Sequence, residues 1–487
     1  MSTLVLRDAE VDGDRVDVRV HGGRVETIGP AHSGRGADVE IDCAGGALLP
    51  GLHDHHLHLL SMAAVASSVD VSADLDRAIR AAHADAPPGV AIRAVNYDDM
   101  QEGPLDRWRL DSLAPGRPVR VQHRSGALWV LSTVALEQAR ALDAREEGVE
   151  RDELDRPTGR LFRLDGWLHD RLATSSASVT AGPSGASVTA GPSGASATAG
   201  PSGGLAVIGR RLASFGITGV TDCTPTATVE YFETIAAAVR AGELPLTVSS
   251  TGGPELSATD PPPPLRRGPV KVLISDHALP TLDELIEWFR GAHRFGRAVA
   301  VHCVTRTALL LALAAWREVG SVAGDRIEHA SVTPREVISA LAGLNLTVVT
   351  QPAFVAARGD IYLDEVESAD QPDLYRCASL MDAGVAVAGS TDAPFGPDDP
   401  WVAIRAAVER RAPSGMTVGR DRGLTPASAL NLFLGALEHP GGPIRRVRAG
   451  VPADLCLLDA PFRTVLLSPS SRHVAATISG GSCTFVT

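Results

Sequence analysis

From Gly51 onward the chain alternates short apolar runs with helical patterns, and it does so eight times. The runs are GLHDHHLH (51–58), GVTDC (219–223), LTVSST (246–251), VKVLISD (270–276), VAVHC (299–303), RIEHA (326–330), LTVVTQP (346–352) and VAVAGSTD (385–392). Amphipathic stretches fall between them, for example LDELIEWFRGAHRFG and ALLLALAAWREVG, each closed by Gly. Strands that alternate with helices indicate a parallel sheet covered by those helices. Eight such units make a (β/α)8 TIM barrel, an α/β fold, the economical solution. In that fold the active site lies at the C-terminal ends of the strands.

The first run carries the densest chemistry. In an extended strand successive side chains point to opposite faces, so Asp54, His56 and His58 share one face while His53, His55 and Leu57 take the other. Two imidazoles at i and i+2 can hold one transition metal, and a nearby carboxylate can fix their rings. The flanks VEIDCAGGALLP and LLSMAAV are too apolar for a solvated histidine tract.

The remainder of the chain divides around this barrel. At 487 residues it is too long for one simple core. Residues 1–50 show strand-like runs (LVLRDAEV, RVDVRVHG, RVETIGP) broken by Gly and Asp, and ADLCLLD, TVLLS and AATISG repeat the style near the C-terminus. Residues 1–50 and 440–487 are therefore expected to form one small β-sandwich built from both termini, with the barrel at 51–75 and 204–439. An inserted α/β subdomain is expected over 76–175, where AIRAVNYD and PVRVQHR read as strands. The nine-residue repeat ASVTAGPSG, ASVTAGPSG, ASATAGPSG lies within 176–203 and offers no residue to anchor a core, which predicts a disordered linker.

Composition excludes several classes. No stretch is long and apolar enough to span a membrane, and the start MSTLVLRDAEVDGDRV lacks a basic segment followed by an apolar one, so a cytoplasmic enzyme is expected. The six cysteines lie far apart with no CxxC pair, as expected of reduced thiols. A net charge of −13 argues against nucleic acid as a partner. A small-molecule substrate is the expected partner, and a homodimer is left open.

Lysine usage is sharper. Lys plus Arg is 45, and Lys271 is the single lysine, leaving 45 − 1 = 44 arginines. A guanidinium stays protonated, whereas a buried lysine can lose its proton and react with carbon dioxide. Lys271 lies inside the fourth strand, His302 near the end of the fifth, His329 near the end of the sixth, and Asp392 closes the eighth. The gaps 302 − 271 = 31 and 329 − 302 = 27 each suit one strand–helix unit, and 392 − 329 = 63 leaves room for a seventh strand without a ligand. Each residue alone has an ordinary structural explanation, a core histidine or a turn aspartate. The set, with His56 and His58, all at one end of the barrel, points to a metal centre.

The order HxH, Lys, His, His, Asp over eight strands resembles the amidohydrolase superfamily in its binuclear form. The phrases LPGLHDHHLHL, RDELDRPTGRLFR, GITGVTD, VKVLISD, AVHC, RIEHA, GSTDAPF, LTPASAL and AGVPADLCLLD resemble its YtcJ-like branch (amidohydrolase 3), which includes N-substituted formamide deformylase. The resemblance implies a first metal on His56, His58 and Asp392, a second on His302 and His329, and a carboxylated Lys271 bridging them.

Two divalent ions bridged by a carbamate and a water would lower that water's pKa toward neutrality and yield hydroxide at pH 7. Asp392 would take the proton and pass it to the leaving nitrogen, as general base and then general acid. Imidazole and oxygen ligands suit zinc first, with manganese, iron or nickel open. The expected activity is metal-dependent hydrolysis of a C–N bond in an amide, formamide, carbamate or other N-acyl compound. A lactonase or other ester hydrolase would use the same centre. A mononuclear deaminase would want a Glu soon after the fifth-strand His, and VHCVTRT has none. A non-enzymatic scaffold on the same barrel should have lost ligands, and none is missing.

His123, Gln351 and Asp98 are the candidate substrate contacts, and Asp54 is expected to orient the site rather than ligate. His53, His55 and Cys303 fall on the faces turned away. Two departures from the branch, Ala127 and Ser132 in SGALWVLST and the phrase Asn96-Tyr97-Asp98, bear on substrate contacts and not on the metal set.

Overall fold

The computed structural model describes residues 3–30, 37–87, 89–164, 166–168, 171–172, 201–276 and 278–487, with backbone alone at 201 and 202. Most of the expected linker, residues 176–200, lies outside them. Its last three residues belong to a helix, Pro201–Ser214. The chain forms two compact units, one from residues 1–59 and 209–487, the other from 60–208.

The first unit holds eight parallel strands: β1 (Leu52–Leu57), β2 (Ile217–Asp222), β3 (Thr247–Ser250), β4 (Val270–Leu273), β5 (Val299–Cys303), β6 (Arg326–His329), β7 (Thr347–Thr350) and β8 (Ala386–Gly389). They are short, and β1, β2 and β6 are buried at every position. That pattern is normal for a parallel sheet covered on both faces, which explains why their sequences read as apolar runs rather than alternating ones.

The hydrogen-bond ladder is divided. β1, β2 and β3 form one parallel sheet with a two-residue strand, Arg266–Arg267, at its edge, and β4 to β8 form a second in sequence order. The expected single closed ring is thus not a continuous ladder among the described residues. Isolated bonds cross the two seams. The Lys271 N–H reaches the Gly252 carbonyl at 2.7 Å. On the other side Asp392 N–H reaches the His56 carbonyl at 2.8 Å and His58 N–H the Ala393 carbonyl at 2.9 Å. At that second seam the backbone leaves the β region, with Asp392 at φ 55°, so regular pairing stops where the polar site begins.

The intervening helices are well specified by sequence. Thr281 and Glu284 form a reciprocal cap at the start of helix Leu282–Arg294, and Thr305 caps Arg306–Val319. The latter buries Leu309, Ala312, Leu313 and Trp316. One carboxylate ties this layer together. Asp325, fully buried, accepts from Trp316 Nε1 at 2.9 Å, Val299 N–H at 2.8 Å and Val322 N–H at 3.0 Å, and lies 3.1 Å from His293 Nε2.

Both ends of the chain meet in the same unit. Thr3–Val11 pairs antiparallel with Asp14–His21 and parallel with Val39–Asp42, while Leu455–Leu458 pairs with Leu48–Pro50 and Val474–Ser479. Leu4, Leu6, Val18 and Val20 share one apolar core with Leu455, Leu457, Ala476 and Ile478.

The second unit is built on a six-stranded sheet. In spatial order its strands are Val149–Arg151, Pro157–Phe162, Leu128–Leu131, Val119–His123, Ile92–Tyr97 and Val69–Asp70. One core gathers Leu75, Ile79, Leu110 and Val121, and another gathers Trp129, Leu136 and Leu161. No helix among the described residues is long and apolar enough to cross a membrane.

Candidate metal centre

The HxH strand delivers its side chains as alternation requires. His56 sets Nδ1 2.5 Å from Glu328 Oε2, which leaves Nε2 free and 3.5 Å from Asp392 Oδ1. His58 sets Nδ1 3.2 Å from the Thr224 hydroxyl and Nε2 3.2 Å from the same Asp392 oxygen. Thr224 is held in turn by the Tyr231 hydroxyl at 2.9 Å, and that hydroxyl donates to Asp222 at 2.8 Å. Both imidazoles therefore present Nε2 to one carboxylate while Nδ1 is engaged behind, the arrangement metal-binding histidines use. Among the described residues His56, His58 and Asp392 bring their donor atoms within 4.8 Å of one another.

Asp54 fixes the loop that carries Asp392. It accepts from the Thr391 hydroxyl at 2.5 Å, Thr391 N–H at 3.1 Å and His56 N–H at 3.2 Å. Burial pushes its carboxyl up to about 7, against the opposing pull of those donors. Both its oxygens are taken up by the backbone and Thr391, the geometry of a residue expected to orient rather than ligate.

His302 and His329 complete the cluster. Their ring centres are 4.4 Å apart, and His329 lies 4.9 Å from His56. Strict alternation would turn His329 away from the face where Glu328 meets His56. The backbone instead adopts φ 71° at His329 and 48° at Ala330, a left-handed turn that is uncommon without glycine. Such positions cost on the order of 1–3 kcal/mol and cluster at functional sites. The turn brings the ring beside His302, and Gln351 Oε1 holds its Nδ1 at 2.8 Å. The other end of that amide donates to Ser390 at 2.9 Å.

Lys271 is 2% exposed, and its Nζ has no hydrogen-bond partner among the described residues. Burial, with the positive charge of Lys271 next, holds His302 down to about 3 and His56 well below the usual imidazole range. His329 is depressed by burial and by His302, His56 and Lys271 in that order. These imidazoles stay neutral at physiological pH, the form that ligates metal.

The structure thus brings His56, His58, Lys271, His302, His329 and Asp392 into one cluster, buried except for half-buried His302, with Lys271 inside β4 and the others near or beyond the C-terminal ends of their strands. Asp392 stands three residues beyond β8 rather than at its end. Gln351, a candidate substrate contact, is fully buried with both amide atoms engaged by His329 and Ser390. His123 and Asp98 lie in the second unit. There His123 faces Ser125 at 2.8 Å and Asp99 at 3.3 Å, while Asp98 caps Met100 N–H and pairs with Arg124 at 3.2 Å. His53, His55 and Cys303 are buried. Sequence reasoning missed Glu328, Arg326, Thr224 and Tyr231. The signal was available for the first two, because two charges spaced i, i+2 in a strand of a covered parallel sheet require a buried partner.

Residues 39–485 match the Amidohydro_3 amidohydrolase family. The chain belongs to the amidohydrolase family. This amidohydrolase is 25% identical over 503 aligned residues to the N-substituted formamide deformylase of Arthrobacter pascens, across 91% of its own length and 89% of that protein. A shorter match, 28% over 206 residues, links it to the putative amidohydrolase YtcJ of Bacillus subtilis (strain 168), over 40% of this chain and 37% of that one. The expected placement beside these two relatives therefore holds, and the chain is a hydrolase of carbon–nitrogen bonds. Its fold is shared with an uncharacterized metal-dependent hydrolase from Pyrococcus horikoshii OT3 (TM-score 0.73, 20% identity, covering 97% of this chain and all of that one). N-isopropylammelide isopropylaminohydrolase from Burkholderia multivorans ATCC 17616 shares it more distantly (TM-score 0.55, 14% identity, both chains covered in full).

Proposed function

We propose that this amidohydrolase cleaves a C–N bond of an N-acyl compound (amide, formamide or carbamate) at a centre for two divalent cations, zinc first among them. His56, His58 and Asp392 would hold one ion, His302 and His329 the other, and Lys271, carboxylated, would join them. On this reading β1 to β8 act as one barrel, closed at its two seams by the isolated bonds. The cytoplasmic setting is inferred from thiols that are free among the described residues, all but Cys483 of them buried.

One observation carries the reading: a lone buried amine without a hydrogen-bond partner among the described residues, its charge felt by His56, His302 and His329. An ammonium there has no direct ion-pair or hydrogen-bond partner among the described residues, and burying an unpaired charge costs several kcal/mol. Carboxylation removes that penalty. The ammonium first gives up a proton, the neutral Nζ attacks the carbon of CO2, a C–N bond forms as one C=O π bond opens, a second proton leaves to solvent, and the former cation becomes an anionic two-oxygen ligand. Hard and borderline cations suit the resulting set of imidazole and carboxylate donors.

Two bound cations would supply Lewis acidity, polarising a carbonyl and making water acidic enough to react near neutral pH. The chain's own residues do the rest. Asp392 receives a proton on the carboxylate that both HxH imidazoles face and delivers it to the departing nitrogen. Asp54 and Thr391 hold that carboxylate's loop in place.

The test combines elemental analysis of protein purified without chelator, carbon-13 NMR after exposure to labelled bicarbonate, and a hydrolysis screen. Up to two divalent ions per chain, a carbamate resonance and turnover of N-acyl amines, formamides or carbamates are expected. Turnover by metal-free protein would refute the centre. Turnover of lactones alone would move the activity to ester hydrolysis.

A further inference from the structure

Behind His56 lies a buried ion pair that the proposed chemistry does not use. Arg326 and Glu328 occupy i and i+2 of β6, with Arg326 2% exposed and Glu328 fully buried. Arg326 Nε donates to Glu328 Oε1 at 2.6 Å, and its terminal nitrogen donates to the His55 carbonyl at 3.3 Å and Cys223 Sγ at 3.4 Å. The other oxygen, Glu328 Oε2, meets His56 Nδ1 at 2.5 Å. One carboxylate thus spans a guanidinium and an imidazole with neither oxygen to spare. The comparable supports are uncharged: a hydroxyl, Thr224, behind His58 and an amide carbonyl, Gln351, behind His329.

We propose that Arg326 and Glu328 are positioning residues which make the His56–His58–Asp392 site the tighter of the two, filled first and emptied last. The inference rests on the metal-centre reading above. A carboxylate on Nδ1–H fixes the tautomer that aims Nε2 at the ion and makes that nitrogen a stronger donor; loss of such a partner typically costs about 10–100-fold in affinity. A neutral support gives orientation with less donor strength. Arg326 balances the charge, so the support adds no net buried charge and keeps Glu328 pointed at the ring.

The test uses the full-length protein with zinc, its affinities measured by chelator competition, and the visible absorption of the cobalt-loaded form. Glu328→Gln keeps an acceptor for His56 and removes the charge. It should weaken the tighter site about 10-fold or more and shift the cobalt bands, while Thr224→Val weakens that site clearly less. A folded Glu328→Gln with wild-type affinity and spectrum overturns the proposal, as does an equal loss in Thr224→Val. Should Glu328→Gln fail to fold because Arg326 is left uncompensated, the double variant Arg326→Gln/Glu328→Gln carries no buried charge, and wild-type affinity there overturns it equally. Two histidine variants decide the matter without touching the pair. Loss of the tight step in His58→Ala, with only the weak step lost in His302→Ala, supports the proposal; the reverse ends it. A wild-type protein that binds no zinc at all would instead overturn the metal-centre reading.

Discussion

Lys271 shows how much one side chain can be asked to do. It is the only lysine in a chain with 44 arginines (45 − 1), it is buried, and its amine lacks a partner among the described residues. Lys271→Ala should therefore abolish most activity and release part of the metal, with partial rescue by short carboxylic acids that replace the bridge. Metal content and turnover with and without added acetate or propionate check this. Lys271→Arg should fail as well, because a guanidinium stays protonated and cannot take up CO2. An arginine variant with normal turnover would remove the carbamate from the mechanism. The strained backbone at His329 and Asp392 belongs to the same scale: neither is glycine, both sit at positive φ, and both turn a donor toward the cluster.

At the scale of strands and helices, Asp325 joins the start of β5, the turn before β6 and the end of helix Arg306–Val319 through one carboxylate. Asp325→Ala would strand several buried donors at once, each costing about 1–3 kcal/mol, so a loss on the order of 3–4 kcal/mol is expected in urea unfolding. Asp325→Asn, which keeps one acceptor, should lose clearly less. These elements were also where the sequence spoke most plainly. Apolar runs such as VAVHC and LTVVTQP and capped helices such as TLDELIEWF have a period and an end signal, so the eight strands fell near their observed places. The candidate ligand set was legible because histidine, lysine and aspartate stand out against apolar strands. What stayed hidden depends on tertiary approach. Nothing local says that Glu328 meets His56 from 272 residues away, or that a turn at His329 reverses alternation. Ser132 is a plain case: its hydroxyl donates to the Arg117 carbonyl and accepts Val119 N–H, a structural task invisible in SGALWVLST. The interrupted ladder was hidden too, since strands of about four residues leave each seam to one or two bonds.

For the molecule as a whole, two predictions separate what holds the fold from what decorates it. Deleting residues 177–200, a repeat without core-forming residues, should leave the melting temperature and metal content within error of the parent, measured by calorimetry and elemental analysis. Unfolding of that deletion would show that the repeat is structural. Removing residues 474–487 should do the opposite. It takes away Val474–Ser479 and Ser482–Val486, and with them Ala476 and Ile478 from the core that Leu4, Leu6 and Val18 share. It also removes the Thr477 hydroxyl that binds the Ala213 carbonyl at 2.6 Å at the end of helix Pro201–Ser214. Soluble yield and cooperativity of unfolding should both fall.

That shared core sets an order of events during synthesis. The sheet begun by Thr3–Val11 is made well before Leu455, Leu457, Ala476 and Ile478, which share its core and follow it by 455 − 11 = 444 residues or more. At about 5–20 residues per second the wait is roughly half a minute to a minute and a half. Throughout that interval an apolar sheet face is open to water and to neighbouring nascent chains. Chaperone supply and translation speed, more than the parallel sheets themselves, are then expected to govern how much of this enzyme a cell obtains in usable form.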